Sequence, residues 1–132
     1  MPRSALAEDL DTSPAADGRR LLFDRAAVEH TSVAIMMVDR DFRITYINEA
    51  TRLLIDEHRQ LFTSTFPRVD FDRLLGSSID DFHQRPAYQH GILSKPRPKP
   101  HLAEISVGDL RFSLRVSSVS DASGEYIGDI LE

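Results

Sequence analysis

From Ala103 to Leu131 the chain alternates in a way that suits an antiparallel sheet. In Leu110 to Ser117, Leu110, Phe112, Leu114 and Val116 fall on one face and Arg111, Ser113, Arg115 and Ser117 on the other. That strict period of two predicts a half-buried strand. Ala103, Ile105 and Val107 alternate with Glu104 and Ser106 in the segment before it, and Gly108-Asp109 is a two-residue hairpin connection. Ser120 to Glu125 turns the chain once more, into Tyr126 to Leu131. Three long antiparallel strands are expected to close the domain.

Two shorter apolar runs near the start complete the sheet. Val33 to Val38 has the length and β-branching of a buried strand, Asp39-Arg40-Asp41 supplies turn residues, and Phe42 to Ile47 reads as the antiparallel partner. Asn48 then caps a helix running to about Leu61, with Ala50, Leu53, Leu54 and Leu61 on one face and Arg52, Glu57 and Arg59 in water. Asp70 caps a one-turn helix at Phe71 to Leu75 that Gly76 closes, and Ser77 or Ser78 caps another turn with Asp80 and Asp81 near its positive end. Pro86 disfavours helical geometry at Arg85 and fits the first position of a further helix through about Leu93. The alternating prolines from Lys95 to Pro100 force an extended, wet connector. Ahead of all this, residues 1–17 lack a sustained apolar period and read as a flexible segment. Gly18 to His30 reads as a short amphipathic flanking helix, laid across the domain's own sheet or packed against a second copy. The expected organisation is therefore a flexible segment over 1–17, a flanking helix over 18–30 and one domain over 31–132. Its class is α+β, a five-stranded antiparallel sheet with short helices on one face.

Composition removes several functions. Without cysteine the chain has no disulfide, thiolate metal site or cysteine nucleophile, and a formal charge of -5 gives no general attraction to nucleic acid or anionic lipid. The longest unbroken apolar run, Val33 to Val38, falls far short of the about 20 residues that span a bilayer. The polar N-terminus lacks the apolar core of a signal peptide, so a cytoplasmic chain is expected. Asp80 and Asp81, adjacent in sequence, diverge by about 100° on a helical turn and make no acid–base pair. No nucleophile motif, phosphate loop or metal cluster is present, and an enzyme is not expected.

One short stretch remains, Ser78 to Pro86 ("SIDDFHQRP"). On a helical turn Ile79 and His83 point the same way, so an inward Ile79 brings the imidazole inward as well. A buried imidazole needs a partner for each nitrogen, and a metal is one such partner, although a lone histidine beside an aromatic is more often structural. The other histidines, His30, His58, His90 and His101, fall on wet faces or loops, and only His90 is near.

With the order of elements, "VAIMMVDRDFRITYIN" (Val33 to Asn48), "LLGSSIDDFHQRPAYQ" (Leu74 to Gln89) and "GDLRFSLRVSSVSDASGEYIGDILE" (Gly108 to Glu132) resemble the PAS domains of bacterial chemoreceptors of the soluble, aerotaxis type. Some of these bind haem b. The resemblance covers about residues 30 to 132. It implies a PAS fold that senses oxygen or another diatomic gas, a homodimer formed through the N-terminal helix, and a downstream chemoreceptor signalling domain. It makes His83, beside Phe82, the axial ligand of a haem iron. Tyr88 stands where relatives often carry a second histidine, and would donate a hydrogen bond near the pocket or simply pack. In relatives the last strand runs on into a tryptophan that donates to the bound gas, and here Glu132 stands where Glu-Trp is expected. The implied pocket walls are Ile105, Leu114 and Val116 from the strands and Leu53, Leu75 and Ile79 from the helical side, residues that would equally pack a solid core. Lys95, Arg97 and Lys99 would meet haem propionates at the pocket mouth or stay in solvent. The alternative is a cofactor-free module for dimerisation and signal relay, or for another small ligand.

Overall fold

The structure, a computed structural model, describes residues 13–84 and 86–132, without the side chains of residues 88, 89 and 92. Most of the segment expected to be flexible, Arg85 and the Tyr88 side chain therefore lie outside the described residues.

The alternating segments form strands β3 (His101–Val107), β4 (Leu110–Ser120) and β5 (Tyr126–Leu131). Val107 pairs with Leu110, so Gly108 and Asp109 make the whole turn, with Gly108 at φ 60°. The opening hairpin supplies β1 (Met36–Asp39) and β2 (Ile44–Ile47). β1 pairs antiparallel with both β2 and β5, giving the order β2-β1-β5-β4-β3. The first strand thus lies against the last, and this seam joins the two ends of the fold. At the seam a Cβ on Gly128 would sit 2.2 Å from the Val38 carbonyl oxygen, so only glycine fits without moving the backbone.

β1 begins later than the apolar run suggests, and Asn48 is the reason. Its Oδ1 accepts from Ile35 N at 2.9 Å and its Nδ2 donates to Val33 O at 2.8 Å, so groups expected in a strand ladder bond to a side chain instead. The turn between β1 and β2 is likewise longer than expected. Asp39 Oδ1 accepts from Asp41 N at 2.9 Å and Arg43 N at 3.0 Å, and Phe42 takes the left-handed φ of 63° rather than starting a strand.

α1 (Pro14–His30) starts at Ser13, whose Oγ accepts from Ala16 N at 3.2 Å. It begins ahead of Gly18, and among its residues only Ala16 is buried. The helix expected to run from Asn48 to Leu61 is two, α2 (Glu49–Glu57) and α3 (Arg59–Thr65), broken at His58 with φ -122° and ψ 33°. α2 buries Thr51 and Ile55 rather than the Leu53 face, which corrects the expected orientation. The Thr51 hydroxyl, bonded to Ile35 O at 2.8 Å, takes the inward place that apolarity alone would have given to a leucine. Phe71 to Leu75 forms turns, held by Asp72 N donating to Asp70 Oδ1 at 3.0 Å, and not a helix. A 3-10 turn (Ile79–Phe82) and α4 (Pro86–Leu93) complete the helical side. Ile55, Phe62, Ile79 and Leu93 from that side meet Val38, Val107 and Val116 of the sheet in one buried cluster. Each such aliphatic or aromatic group adds about 1.5–3 kcal/mol over exposure.

Candidate functional site

The turn that carries His83 is short because its ends are fixed. Ser78 Oγ accepts from Asp80 N at 3.1 Å at the start, and His83 N donates to Asp80 O at 3.0 Å at the end. Asp80 and Asp81 lie in its first turn, where unpaired backbone N–H groups favour carboxylates. His83 itself is the residue that closes the turn, with an extended backbone (φ -126°, ψ 141°), and so does not share a helical face with Ile79 as expected. Its ring nevertheless folds back over Ile79, with Nδ1 3.0 Å from Ile79 O.

That contact settles the tautomer, since a carbonyl oxygen only accepts: Nδ1 carries the proton and Nε2 keeps its lone pair. The half-buried ring has its pKa pushed down, first by loss of solvent and further by the neighbouring His90. The bond to Ile79 O and the Asp80 charge oppose this. A neutral imidazole with Nδ1 committed to a carbonyl and Nε2 available is the arrangement of a metal-ligating histidine. On the backbone side, the Arg68 guanidinium donates to His83 O.

Phe82 anchors the turn in an aromatic chain. Its ring lies 5.1 Å from Phe66 and 6.0 Å from Phe71, and Phe62 continues the series at 6.4 Å from Phe66 and 6.0 Å from Phe112 on β4. A cleft of ≈ 350 Å³ opens beside His83, walled by Thr65, Phe66, Arg68 and Phe82. The aromatic chain runs from this cleft to the sheet.

Of the expected wall residues, Ile79 and Val116 are buried in the core and Leu114 packs at its edge. Ile105 is 37% exposed, and Leu53 and Leu75 face solvent at 59% and 61%. Leu75 lines a separate cleft of ≈ 550 Å³ with Ile47, Ile55 and Arg73. The structure therefore brings His83, Phe82 and Ile79 together but sets Leu53 and Leu75 apart from them. Lys95 and Lys99 are exposed, whereas Arg97 is half-buried and its backbone N–H donates to Ser118 Oγ at 3.1 Å.

A buried polar pair lies on β5, where the sequence offered no signal. Asp129 is 2% exposed; its Oδ2 meets the Tyr126 hydroxyl, which also meets Leu93 O at the end of α4. The one proton of the Tyr126 hydroxyl faces two acceptors, Asp129 Oδ2 and Leu93 O. Burial pushes the Asp129 pKa up, against the opposing pull of Tyr126 and Arg97. Burial and the adjacent carboxyl push the Tyr126 hydroxyl up as well. Asp129 Oδ1 has no hydrogen-bond partner among the described residues.

Comparison with known proteins follows the same lines. A family model described as "PAS domain" matches residues 25–87. The chain is 31% identical over 108 residues to the methyl-accepting chemotaxis protein McpB of Pseudomonas aeruginosa, covering 82% of this chain but only 16% of that relative. It is 37% identical to a solved structure of the Aer2 receptor from Vibrio cholerae, described as a dual PAS-heme oxygen sensor. The TM-score is 0.69, and the match covers 74% of this chain and 88% of the other. The PAS domain of Bordetella pertussis BvgS shares the fold at 20% identity and TM-score 0.54, over 86% of this chain and 83% of that one. Sheet order, helical side and sequence agree, and the chain belongs to the PAS domain family.

Proposed function

We propose that this PAS domain is the gas-sensing unit of a chemoreceptor, holding haem b through His83 and reporting oxygen or another diatomic gas to a downstream signalling domain. The observation that carries the reading is the division of labour on one imidazole, with Nδ1 held by Ile79 O at 3.0 Å and Nε2 left with its lone pair. Burial pushes the pKa of that ring down and so favours the neutral form, in which histidine binds a metal. Haem, when bound, supplies an iron with a position open to a small gas. The chain's own residues do the rest: Ile79 O orients the ring, Arg68 holds the His83 carbonyl, and Phe66 and Phe82 give the cleft an apolar wall. Leu114 and Val116 do not line this cleft; Val116 belongs to the core and Leu114 packs against it. The similarity to the Aer2 receptor supports the reading.

The test is an absorption spectrum of the purified protein after addition of haem. A Soret band present in the wild type and lost in His83→Ala is expected. A protein that stays colourless overturns the proposal.

A second reading has its own observation. Leu21, Leu22 and Phe23 stand 58%, 67% and 73% exposed in succession on α1, which fits a helix that pairs with its copy in a second chain. A cofactor-free dimerising relay would need that pairing and no haem.

A further inference from the structure

Phe42 adopts the left-handed backbone conformation, φ 63°, which L side chains enter only against steric resistance. Asparagine or glycine would suit this turn better, so something on the far side of the residue must hold it there. Two contacts do. The Phe42 carbonyl accepts from Ile79 N at 2.8 Å, and the Phe42 ring stacks on the His90 imidazole with centroids 3.8 Å apart and planes 6° from parallel. His90 Nε2 in turn lies 2.6 Å from Asp80 Oδ1. The β1–β2 turn, α4 and the His83 turn are thereby joined in a closed circuit.

The circuit ends on the two residues that hold His83. The ring of His83 is bonded to Ile79 O at 3.0 Å, and its backbone N–H to Asp80 O at 3.0 Å. Phe42 fixes Ile79 through the main chain, and His90 fixes Asp80 through the side chain. We infer that Phe42, His90 and Asp80 form a brace that sets the orientation of the His83 imidazole, with His90 and Phe42 as positioning residues. This rests on the reading of His83 as the haem ligand. The brace is partly exposed, and an isolated surface His–Asp contact adds little to global stability. Its effect is on where the ligand ring points.

The test uses His90→Ala, Asp80→Ala and, as a conservative control that keeps an acceptor oxygen, Asp80→Asn. In the haem-free protein, amide exchange at Ile79 and His83 is expected to speed up in the two alanine variants and to stay near wild type in Asp80→Asn. In the haem-loaded protein, loss of haem to an excess of a haem-scavenging protein is expected to rise about tenfold in the alanine variants, the low end of what outer-shell partners of metal-ligating histidines contribute. Wild-type rates of haem loss in His90→Ala overturn the proposal, whatever the exchange data show. A wild-type protein that takes up no haem overturns the reading of His83 instead, and unchanged amide exchange in the alanine variants would then remove the brace as well.

Discussion

At the scale of single residues, two buried titratable side chains pull the pH dependence of stability in opposite directions. Asp129 has its folded-state pKa raised by burial. Its contribution is complete below the unfolded carboxylate value of about 3.9 and is lost as pH rises through the raised value, because ionisation would bury a charge beside Val38 and Ser118 that Tyr126 and Arg97 only partly offset. His83 has its folded-state pKa lowered by burial. Its contribution is complete above the unfolded value of about 6.5 and is lost as pH falls through the lowered value. Between about pH 3.9 and 6.5 the two therefore oppose each other, the Asp129 contribution falling and the His83 contribution growing as pH rises. Asp129→Asn keeps an acceptor oxygen for the Tyr126 hydroxyl while abolishing the ionisation, so the loss of stability as pH rises through the raised Asp129 value should shrink in that variant. Urea titrations across pH check this: a loss of stability with rising pH as steep in Asp129→Asn as in the wild type would show that Asp129 is not its source. This pair was not legible in advance, because an aspartate between Gly128 and Ile130 reads as an outward position until the fold makes β5 the central strand and brings Leu93 and Tyr126 to it.

At the scale of elements, what could be read in advance was what local periodicity controls. β4 alternates half-buried and exposed side chains from Leu110 to Arg115, as its period of two demands, and Gly108-Asp109 turns where expected. The short turn before Pro86 and the helix after it also lie where their caps and the proline place them. Misreadings arose wherever a side chain replaced a backbone partner. Asn48 is fully buried, and its side chain makes five hydrogen bonds, with Ile35 N, Thr51 N, the Thr51 hydroxyl, Val28 O and Val33 O. It delays β1, rotates α2 and ties down the end of α1, none of which a helix cap alone announces. The aromatic series was equally invisible, since Phe62 and Phe66, four apart on α3 and its cap, meet Phe71 and Phe82 from separate turns. Asn48→Ala should therefore cost more than an ordinary cap. A lost cap costs about 1 kcal/mol and each buried group left unpaired about 1–3 kcal/mol more, so a loss of several kcal/mol is expected. A urea midpoint shift equivalent to 1 kcal/mol or less would mean that water enters and replaces the amide.

At the scale of the whole molecule, the last turn of α1 is fastened to the domain. Glu29 is 2.5 Å from Arg52 and accepts from the Tyr46 hydroxyl at 3.1 Å, His30 is 2.9 Å from Glu49, and Val28 O accepts from Asn48. These contacts hold the last turn of the helix to β2 and α2, while Leu21, Leu22 and Phe23 stand in solvent further back. Three consecutive large apolar residues span most of a helical circumference, so no rotation of α1 hides all of them against its own sheet. A helix of this kind gains its stability from a partner, since a stretch this long is marginal alone in water. A second copy, paired along the same residues, would cover them and would pass any movement of the Asn48 and Glu29 contacts from one domain to the other. The expectation is a dimer in light scattering that becomes a monomer in the double variant Leu22→Glu, Phe23→Glu, with the Soret band, where present, unchanged. Dimers that survive the double substitution would place the interface elsewhere. Loss of haem together with loss of the dimer would instead tie the ligand site to the paired state.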